Sequence, residues 1–331
     1  MRRIAFDVDC LFSGAAVVPT QPQAPVYVTG LARSGTTVLL EALYASRAFT
    51  TLTFRAMPFA TAPQLWSKIS SNMRHAGEPR ERAHGDRMSI GFDSPEAFEE
   101  PFWSMLTEER FIHVDGLDVH NVNDAGLADY RCYIANILLA SKVRDARYLS
   151  KNNNHVLRID CLLRAFPDAH ILVPFRRPWD HAESLLRQHR RFSEMHAKDG
   201  TTLSYMNWLG HFEFGANFKP FKVGRDIYPR DADEIDTADY WLRYWTCVYR
   251  YLLTKYEKKV VFFDYDRFCR EPLRTLKRLA ATIDLESGQL TSYAANVQEQ
   301  TIYPDTDLAS RAVSDTTDLY ATLQKNSLQA S

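Results

Sequence analysis

The sequence predicts an α/β fold, a doubly wound parallel sheet of P-loop type flanked by helices on both faces. Two observations lead to this prediction. Short runs of β-branched and aromatic residues alternate with segments of helical periodicity, and the connections are long enough for parallel crossovers. In addition, a glycine-containing loop at residues 30–37, GLARSGTT, joins the first predicted strand to the first predicted helix. Ligands of such sheets bind beyond the carboxyl ends of the strands, so the site is expected there.

The predicted elements follow one another along the chain. The strands are VYVTG (26–30), RYLSK (147–151), AHILVPF (169–175) and KVVFFDYDRF (259–268). The helices are predicted at 36–46, 128–143, 156–166, 177–192, 237–256 and 271–283. The helix at 237–256 carries an apolar stripe that is predicted to pack against the sheet. Its members are Trp241, Tyr244, Trp245, Val248 and Leu252.

Composition limits the kinds of partner that the protein can have. The 331 residues are 45% hydrophobic and 24% charged, with a net charge of −1, which is typical of a soluble globular protein. No global basic field favours nucleic acid or an anionic membrane, so any anion site must be local. The five cysteines form no C-x-x-C pair, which fits a reducing compartment, and no metal site is predicted. Without a signal-peptide core or an apolar run of membrane-spanning length, we expect a cytoplasmic protein with no transmembrane segment.

The loop from Gly30 to Thr37 fits the pattern G-x-x-x-x-G-x-T. Backbone N–H groups of such a loop and of the following helix start hold a phosphate through partial positive charge. Where a nucleoside triphosphatase has its lysine, this loop has Thr36, and an arginine, Arg33, lies three residues earlier. The loop therefore suits a smaller anion, such as a 5′-phosphate bearing one further group. The alternative is a strand-to-helix turn that binds nothing.

Cations follow two further predicted strands. Lys151 ends the second strand and precedes three asparagines, while Arg176 and Arg177 end the third, eight residues before Ser184. An arginine fork and a serine hydroxyl can clamp a second phosphate. The two arginines cannot both point the same way from a short turn, so one of them is expected to be structural. The alternative for all three cations is a solvated surface charge.

These motifs, taken in order, resemble those of the sulfotransferases that use 3′-phosphoadenosine 5′-phosphosulfate. The resemblance covers residues 26–190 and resumes at 235–285, where VVFFDYDRF is followed by EPLRTLKRLAATI. It is closer to the carbohydrate and tyrosylprotein types than to the cytosolic aryl and alcohol type. It implies a single sulfotransferase domain over 1–331, with an irregular insertion at 50–125 and an acceptor-side segment near 195–235. The implied reaction transfers a sulfuryl group to a hydroxyl, on a small-molecule or glycan acceptor, with no metal required.

The resemblance also implies roles for individual residues. Lys151 matches the lysine that steadies the sulfuryl group in transit, and Arg33 is the second cation expected to stabilise its charge. The loop residues are expected to hold the 5′-phosphosulfate, and an arginine and a serine the 3′-phosphate. The implied donor-binding residues are Arg33, Ser34, Gly35, Thr36, Thr37, Arg176 and Ser184.

The general base that accepts the acceptor's proton is harder to locate. In many members it is a Glu or His after the first helix, but here residues 51–66 contain no acidic residue and no histidine. His84 and Asp86, in a polar turn, are predicted to supply the base, with Glu100 as the next candidate. His211 and Glu213 are further candidates for lining the acceptor site.

The stretch SPEAFEE, residues 94–100, has the pattern of a capped helix start, with Ser94 as the N-cap and Pro95 at the first helical position. In that pattern Glu96, Glu99 and Glu100 belong to the start of a helix, which explains them without a catalytic role.

Two other functions remain open from the sequence. A P-loop small-molecule kinase would need a carboxylate for Mg²⁺ after a strand, and Asp264 and Asp266 are the candidates. A catalytically inactive nucleotide-binding protein on the same fold is the second alternative, because the base is unassigned.

Overall fold

A parallel sheet forms the centre of the protein, which we describe from a computed structural model. The structure describes residues 2–12, 24–70, 80–81, 89–90, 98–141, 143, 145–224, 232–298 and 310–330. Its strands are β1 (Val26–Val28), β2 (Phe49–Thr50), β3 (Arg80–Glu81), β4 (Ser89–Ile90), β5 (Arg147–Lys151), β6 (His170–Phe175) and β7 (Val261–Asp264). Within these residues, five strands pair in parallel in the order β2-β5-β1-β6-β7, and β3 pairs with β4 antiparallel. The predicted parallel α/β fold is therefore confirmed.

Helices occupy most of the remaining described chain. The α-helices are α1 (Arg2–Phe12), α2 (Thr36–Ala45), α3 (Pro63–Ser70), α4 (Glu100–Thr107), α5 (Asp124–Ala140), α6 (Ile159–Ala165), α7 (Pro178–Lys198), α8 (Gly200–Leu209), α9 (Ala232–Ile235), α10 (Ala238–Tyr256), α11 (Tyr265–Arg270), α12 (Pro272–Thr282), α13 (Ser287–Thr291) and α14 (Ser310–Lys325). Short 3₁₀ helices cover Phe54–Ala56, Asn153–Leu157, Gly215–Asn217 and Ser292–Asn296. No helix in these described segments is both long and apolar enough to cross a membrane.

The two faces of the sheet are covered by different helices. Side chains alternate along β1, so Val28 faces one way and Tyr27 the other. Val28 belongs to an apolar cluster with Leu39 of α2 and Leu276 of α12. Tyr27 belongs to the larger cluster on the opposite face, where its hydroxyl accepts a hydrogen bond from Tyr130 of α5 at 3.0 Å. Helices on both faces are what a doubly wound sheet requires.

The predicted strand at 259–268 is shorter than expected. It ends at Asp264, whose side chain accepts a hydrogen bond from the backbone N–H of Arg267 at 3.0 Å and so caps α11. The local sequence is rich in residues that suit a strand, but a carboxylate N-cap starts a helix instead. The other three predicted strands are confirmed, and β2 was missed because it is only two residues long.

The predicted helices are confirmed, but the ends of three of them are shifted, and α7 continues to Lys198 instead of ending at residue 192. Helix α5 begins earlier than predicted because Asn123 caps it, accepting a hydrogen bond from Gly126 N at 2.9 Å. The predicted helix at 156–166 is divided into a 3₁₀ turn and α6, which meet at Arg158.

The apolar stripe of α10 belongs to the buried cluster that also contains Tyr27 and Val173 of the sheet. Tyr249, beside the stripe, donates a hydrogen bond to the backbone oxygen of Pro174 in β6 at 2.7 Å. The chain near 218–221 packs on the stripe as well: the rings of Trp241 and Phe218 have centroids 4.9 Å apart, and Tyr244 OH accepts from the backbone N–H of Phe221 at 3.0 Å.

Helix α1, which the sequence did not predict, packs on the same face as α5. Asp9 is buried and accepts hydrogen bonds from the backbone of Leu65 at 2.6 Å and from Asn136 Nδ2 at 3.0 Å. Burial raises the pKa of Asp9, with these donors opposing the rise. The Sγ atoms of Cys10 and Cys132 lie 2.6 Å apart, a contact that cysteine spacing does not reveal.

Candidate functional site

The loop between β1 and α2 has the backbone of an anion-binding turn. Gly30, Arg33 and Gly35 all have positive φ, at 137°, 68° and 100°. A Cβ atom added to Gly35 would lie 2.2 Å from Cδ2 of Tyr265, so both the conformation and the space require glycine there. The loop leads into α2, whose first N–H groups have no intrahelical acceptor and favour a bound anion.

Contacts between side chains join the β1 loop to the residues that follow β6. Arg33 Nε donates to Ser184 Oγ at 3.3 Å, and Arg176 donates to the backbone oxygen of Arg33 at 3.1 Å. Arg176 and Ser184 are 8% and 7% exposed, so neither is a solvated surface group. Three residues predicted from separate motifs are thus brought together at one edge of the sheet.

The two consecutive arginines have different partners. Arg177 binds the carboxylate of Asp180 through Nε and a terminal nitrogen, at 2.7 and 3.0 Å. Its backbone N–H donates to Asp266 Oδ2 at 2.5 Å. Arg177 is therefore the structural member of the pair, which leaves Arg176 as the arginine that faces the loop.

Tyr265 and Asp266 support the site; the sequence did not predict Tyr265 there, and it predicted Asp266 only as a candidate Mg²⁺ ligand of a kinase. The Tyr265 ring lies against Gly35, and the Arg176 guanidinium carbon is 5.7 Å from the centre of that ring. Asp266 also accepts a hydrogen bond from Tyr320 at 3.2 Å. Because the stretch DYD was assigned to a continuing strand, the pattern did not place the Tyr265 ring beside the loop.

His181 fixes the backbone of the β1 loop through a hydrogen bond. Its Nε2 donates to the backbone oxygen of Ala32 at 2.8 Å, since a carbonyl oxygen can only accept. Burial, with a further contribution from the Arg176 charge, lowers the pKa of His181 to about 3. The imidazole is therefore neutral and positions the loop.

Lys151 lies beside the start of the same loop. It ends β5 next to Val28 of β1, and it is 8% exposed. The following residue, Asn152, donates its N–H to Val28 O at 3.1 Å, and Thr29 Oγ1 donates to Asn153 O at 3.2 Å. These bonds fix the turn after Lys151 to the end of β1, so the strand ends that carry Lys151 and Arg33 are neighbours.

Glu100, the next candidate for the base, is a buried ion-pair partner. Its Oε1 accepts from Arg158 at 2.6 Å and its Oε2 accepts from Asn152 Nδ2 at 2.6 Å. Glu100 and Arg158 are each 1% exposed. Because both oxygens are engaged and solvent is excluded, the structure contradicts a role for Glu100 as the base. Glu100 instead anchors the turn that follows Lys151.

Glu99 is the second buried acid beneath β5. Burial alone would raise the pKa of its carboxyl, but His155 and the surrounding hydroxyl donors lower it to about 2. Its carboxylate therefore stays ionised and holds β5 against α4 and α5. The groups around it are Trp103 Nε1 at 2.6 Å, Tyr130 OH at 2.9 Å, Tyr148 OH at 2.7 Å, Ser150 Oγ at 2.5 Å and His155 Nε2 at 3.5 Å.

A small cleft adjoins the loop. Its walls are mostly apolar and aromatic, with Leu31 and Ala32 of the loop on one side. Glu213, half-buried on the wall, accepts a hydrogen bond from Asn153 Nδ2 at 2.9 Å. The remaining lining residues are Leu117, Asn154, Leu185, Phe212, Phe218, Lys219, Phe221, Trp241 and Tyr244. We call this the acceptor cleft.

Several predicted residues are not brought into this site by the described chain. His84 and Asp86, like Ser94, Pro95 and Glu96, lie outside the described residues, so their roles remain predictions. Among the described residues that line the acceptor cleft, His211 is absent.

Comparison with known proteins identifies the family. A family model described as "Sulfotransferase family" matches residues 25–288, which is most of the chain. The chain belongs to the sulfotransferase family. No curated protein sequence matches this sulfotransferase significantly.

Solved structures agree with the fold of this sulfotransferase. It is similar to the crystal structure of sulfotransferase STF9 from Mycobacterium avium, with a TM-score of 0.55 and 15% identity over 98% of this chain and 81% of the other. It is also similar to sulfotransferase STF1 from Mycobacterium tuberculosis H37Rv, with a TM-score of 0.51 and 16% identity over 98% of this chain and 80% of the other. At these identities the likeness concerns the fold alone.

Proposed function

We propose that this sulfotransferase uses 3′-phosphoadenosine 5′-phosphosulfate as its donor and transfers the sulfuryl group to an acceptor hydroxyl. The observation that carries the proposal is the linkage of the β1 loop to the residues after β6. Arg176 donates to the backbone of Arg33, and Arg33 donates to Ser184. Two anion subsites that share residues suit a donor with phosphate groups at both its 5′ and its 3′ positions.

Each donor group has a matching set of residues in this proposal. Ser34, Gly35, Thr36 and Thr37 surround the 5′-phosphosulfate with backbone N–H groups and hydroxyls at the start of α2. The 3′-phosphate is bound by the Arg176 guanidinium together with the Ser184 hydroxyl.

The chemistry is an in-line transfer between two oxygens. The bond from sulfur to the bridging phosphate oxygen breaks while a bond from the acceptor oxygen to sulfur forms, and adenosine 3′,5′-bisphosphate leaves. Such a transfer asks the protein mainly for positioning and charge stabilisation. Arg33 and Lys151, on neighbouring strand ends, supply the positive charge, and no metal ion is part of the scheme.

The kinase alternative is weakened by the bonds of its two candidate carboxylates. Asp264 accepts from the backbone of Arg267 at 3.0 Å and from Gln324 Nε2 at 3.2 Å. Asp266 accepts from the backbone of Arg177. Both acids are therefore used to hold the fold and the site residues, which favours sulfuryl transfer over a Mg²⁺-dependent phosphoryl transfer.

For the acceptor we propose a hydroxyl on a carbohydrate or glycan, in keeping with the carbohydrate and tyrosylprotein types. The support is the wall of the acceptor cleft, where the partly exposed ring of Phe218 lies beside the half-buried carboxylate of Glu213. Aromatic faces pack against the apolar faces of sugar rings while polar groups orient the hydroxyls.

The test is transfer of ³⁵S-labelled sulfate from the donor to a panel of sugars, alcohols and phenols in the presence of a chelator. We expect labelled product from at least one sugar acceptor. Tight binding of adenosine 3′,5′-bisphosphate without any transfer would favour the inactive binding protein. Magnesium-dependent turnover of ATP would favour the kinase.

A further inference from the structure

Transfer to a hydroxyl requires a group that accepts the acceptor's proton, and most described acids near the loop cannot do so. Glu99 and Glu100 are buried and fully hydrogen-bonded. Asp180 is bound to Arg177, and Asp266 to the backbone of the same residue. Among the described residues, Glu213 is the acid that lines the acceptor cleft.

Glu213 is connected to both strand ends that carry the transferring cations. Its Oε1 accepts from Asn153 Nδ2 at 2.9 Å, and Asn153 lies two residues beyond Lys151. The backbone oxygen of Asn153 in turn accepts from Thr29, which precedes the β1 loop. The carboxylate is therefore held beside the cleft wall formed by Leu31 and Ala32.

The backbone around Glu213 fixes its position further. Phe212 and Phe214, on either side of it, are 6% and 3% exposed and belong to the core. Gly210 ends α8 with φ 74°, and a Cβ there would lie 2.5 Å from Cγ of Glu100. The segment that carries Glu213 is thus packed against the same buried acid that anchors the turn after Lys151.

We infer that Glu213 is the general base of the transfer and that the acceptor hydroxyl binds in the acceptor cleft. This inference rests on the proposed function. As the acceptor oxygen bonds to sulfur, its proton moves to Glu213 Oε2, because Oε1 is occupied by Asn153. The sulfur–oxygen bond of the donor breaks at the same time, and adenosine 3′,5′-bisphosphate leaves with the electron pair.

A general base matters most for an acceptor that still holds its proton. Proton transfer by a positioned side chain contributes about 10²–10⁴-fold to such a step. An acceptor that is already ionised, such as nitrophenolate, has no proton to give. The ratio of the two activities therefore separates a base from a residue that only supports the cleft.

The experiment compares wild type with Glu213→Gln, Glu213→Asp and the matched control Glu194→Gln, an exposed acid on α7. Transfer is measured with the sugar or alcohol acceptor found in the panel and with nitrophenolate, and kcat/KM is followed against pH. We expect Glu213→Gln to lower kcat/KM for the neutral hydroxyl by about 10²–10⁴-fold. This loss should be at least about tenfold larger than the loss for nitrophenolate. The decrease in kcat/KM at acid pH that wild type shows should be absent from this variant. Glu213→Asp should keep that fall and recover part of the rate, and Glu194→Gln should match wild type.

Each contrary result has a distinct meaning. Equal losses on both acceptors would overturn the inference, since a merely structural residue affects both alike. Unchanged activity in Glu213→Gln would also overturn it and return the search to His84 and Asp86. Absence of transfer from the donor by wild-type protein, with no acceptor in the panel labelled, would instead contradict the proposed function itself.

Discussion

The donor side and the acceptor side of this site are assembled in different ways. The proposed donor side comes from the loop after β1 and the residues after β6, where Arg33, Arg176 and Ser184 of α7 are joined by hydrogen bonds. The walls of the acceptor cleft come from six separate parts of the chain, at 31–32, 117, 154, 185, 212–221 and 241–244. Anion binding can be encoded locally because backbone N–H groups at a strand end perform it, whereas a shaped cleft depends on tertiary packing.

A buried polar layer supports both sides. Glu99 holds β5 through Ser150 and Tyr148, and Glu100 holds the turn at Asn152. Lys151 lies between these two attachments, while Asn153 beyond them donates a hydrogen bond to Glu213. Damage to this layer should therefore affect donor and acceptor sides together, whereas changes on either side should act separately.

The largest loss of stability is expected from a break in the buried polar layer. Arg158→Met leaves the Glu100 carboxylate buried without its cation, which should lower the free energy of unfolding by about 3–5 kcal/mol. The control is Arg190→Met, which breaks the exposed pair with Asp236 and should cost less than about 1 kcal/mol. Urea denaturation measures both, and equal losses would mean that the buried layer has no special role.

On the donor side, Arg33→Ala should act on the transition state. Removing one preorganised positive group costs about 10²–10³-fold in kcat, while the affinity for adenosine 3′,5′-bisphosphate, which lacks the sulfuryl group, should change little. Steady-state kinetics and calorimetric binding provide the two readouts, with Arg191→Ala on the exposed side of α7 as the control. If Arg33→Ala lost affinity for adenosine 3′,5′-bisphosphate as strongly as it lost turnover, Arg33 would instead contribute to ground-state binding.

Arg176 and Arg177 offer a sharper comparison within the donor side. Arg176→Ala should weaken binding of adenosine 3′,5′-bisphosphate by about 10–100-fold, because hydrogen bonds to charged groups contribute about 1.5–3 kcal/mol. Adenosine 5′-phosphate, which lacks the 3′-phosphate, should bind almost as before. Arg177→Ala, whose side chain is engaged by Asp180, should change the affinity less than about threefold. Equal losses of affinity for both ligands in Arg176→Ala would mean that Arg176 does not contact the 3′-phosphate.

The smallest effect is expected in the pH dependence of stability, through the neutral imidazole of His181 beneath the β1 loop. The pKa of His181 falls from 6.5 to about 3 on folding, so the unfolded chain binds more protons between these values. Its contribution to stability is complete above about pH 6.5 and is lost as the pH falls toward about 3. Protonation of Glu99 lowers the free energy of unfolding further, but only as the pH falls below its unfolded pKa of 4.5.

The measurement for His181 is the free energy of unfolding at several pH values between about 7.5 and 5. His181→Gln should flatten the decline seen in wild type. If His181→Gln keeps the wild-type slope, burial of His181 does not govern the acid response.

The sequence predicted the parts of the site that follow directly from strand order. The loop at Gly30–Thr37, Lys151 and Arg176 were each predicted at strand ends, and the parallel register then brings them to one edge. Their implied roles in donor binding and transfer remain predictions.

The parts that the sequence did not predict depend on contacts between distant residues. Glu99 and Glu100 lie in a stretch that has the pattern of a capped helix start, yet both are buried. Their donors come from much later in the chain: Tyr148 of β5 for Glu99 and Asn152, just after β5, for Glu100. Tyr265 was assigned to a strand because its neighbours suit one, although Asp264 caps a helix. Glu213 was named for the acceptor site only by its aromatic surroundings, since its bond to Asn153 spans 60 residues.

If the β1 loop and Arg176 bind a donor carrying phosphates at its two ends, adenosine 3′,5′-bisphosphate must bind more tightly than adenosine 5′-phosphate. Calorimetric titration of both ligands in the presence of a chelator measures this difference. We expect the bisphosphate to bind at least about tenfold more tightly, because it adds one charged hydrogen-bonding group. Equal affinities, or binding of ATP with Mg²⁺ in preference to the bisphosphate, would contradict it.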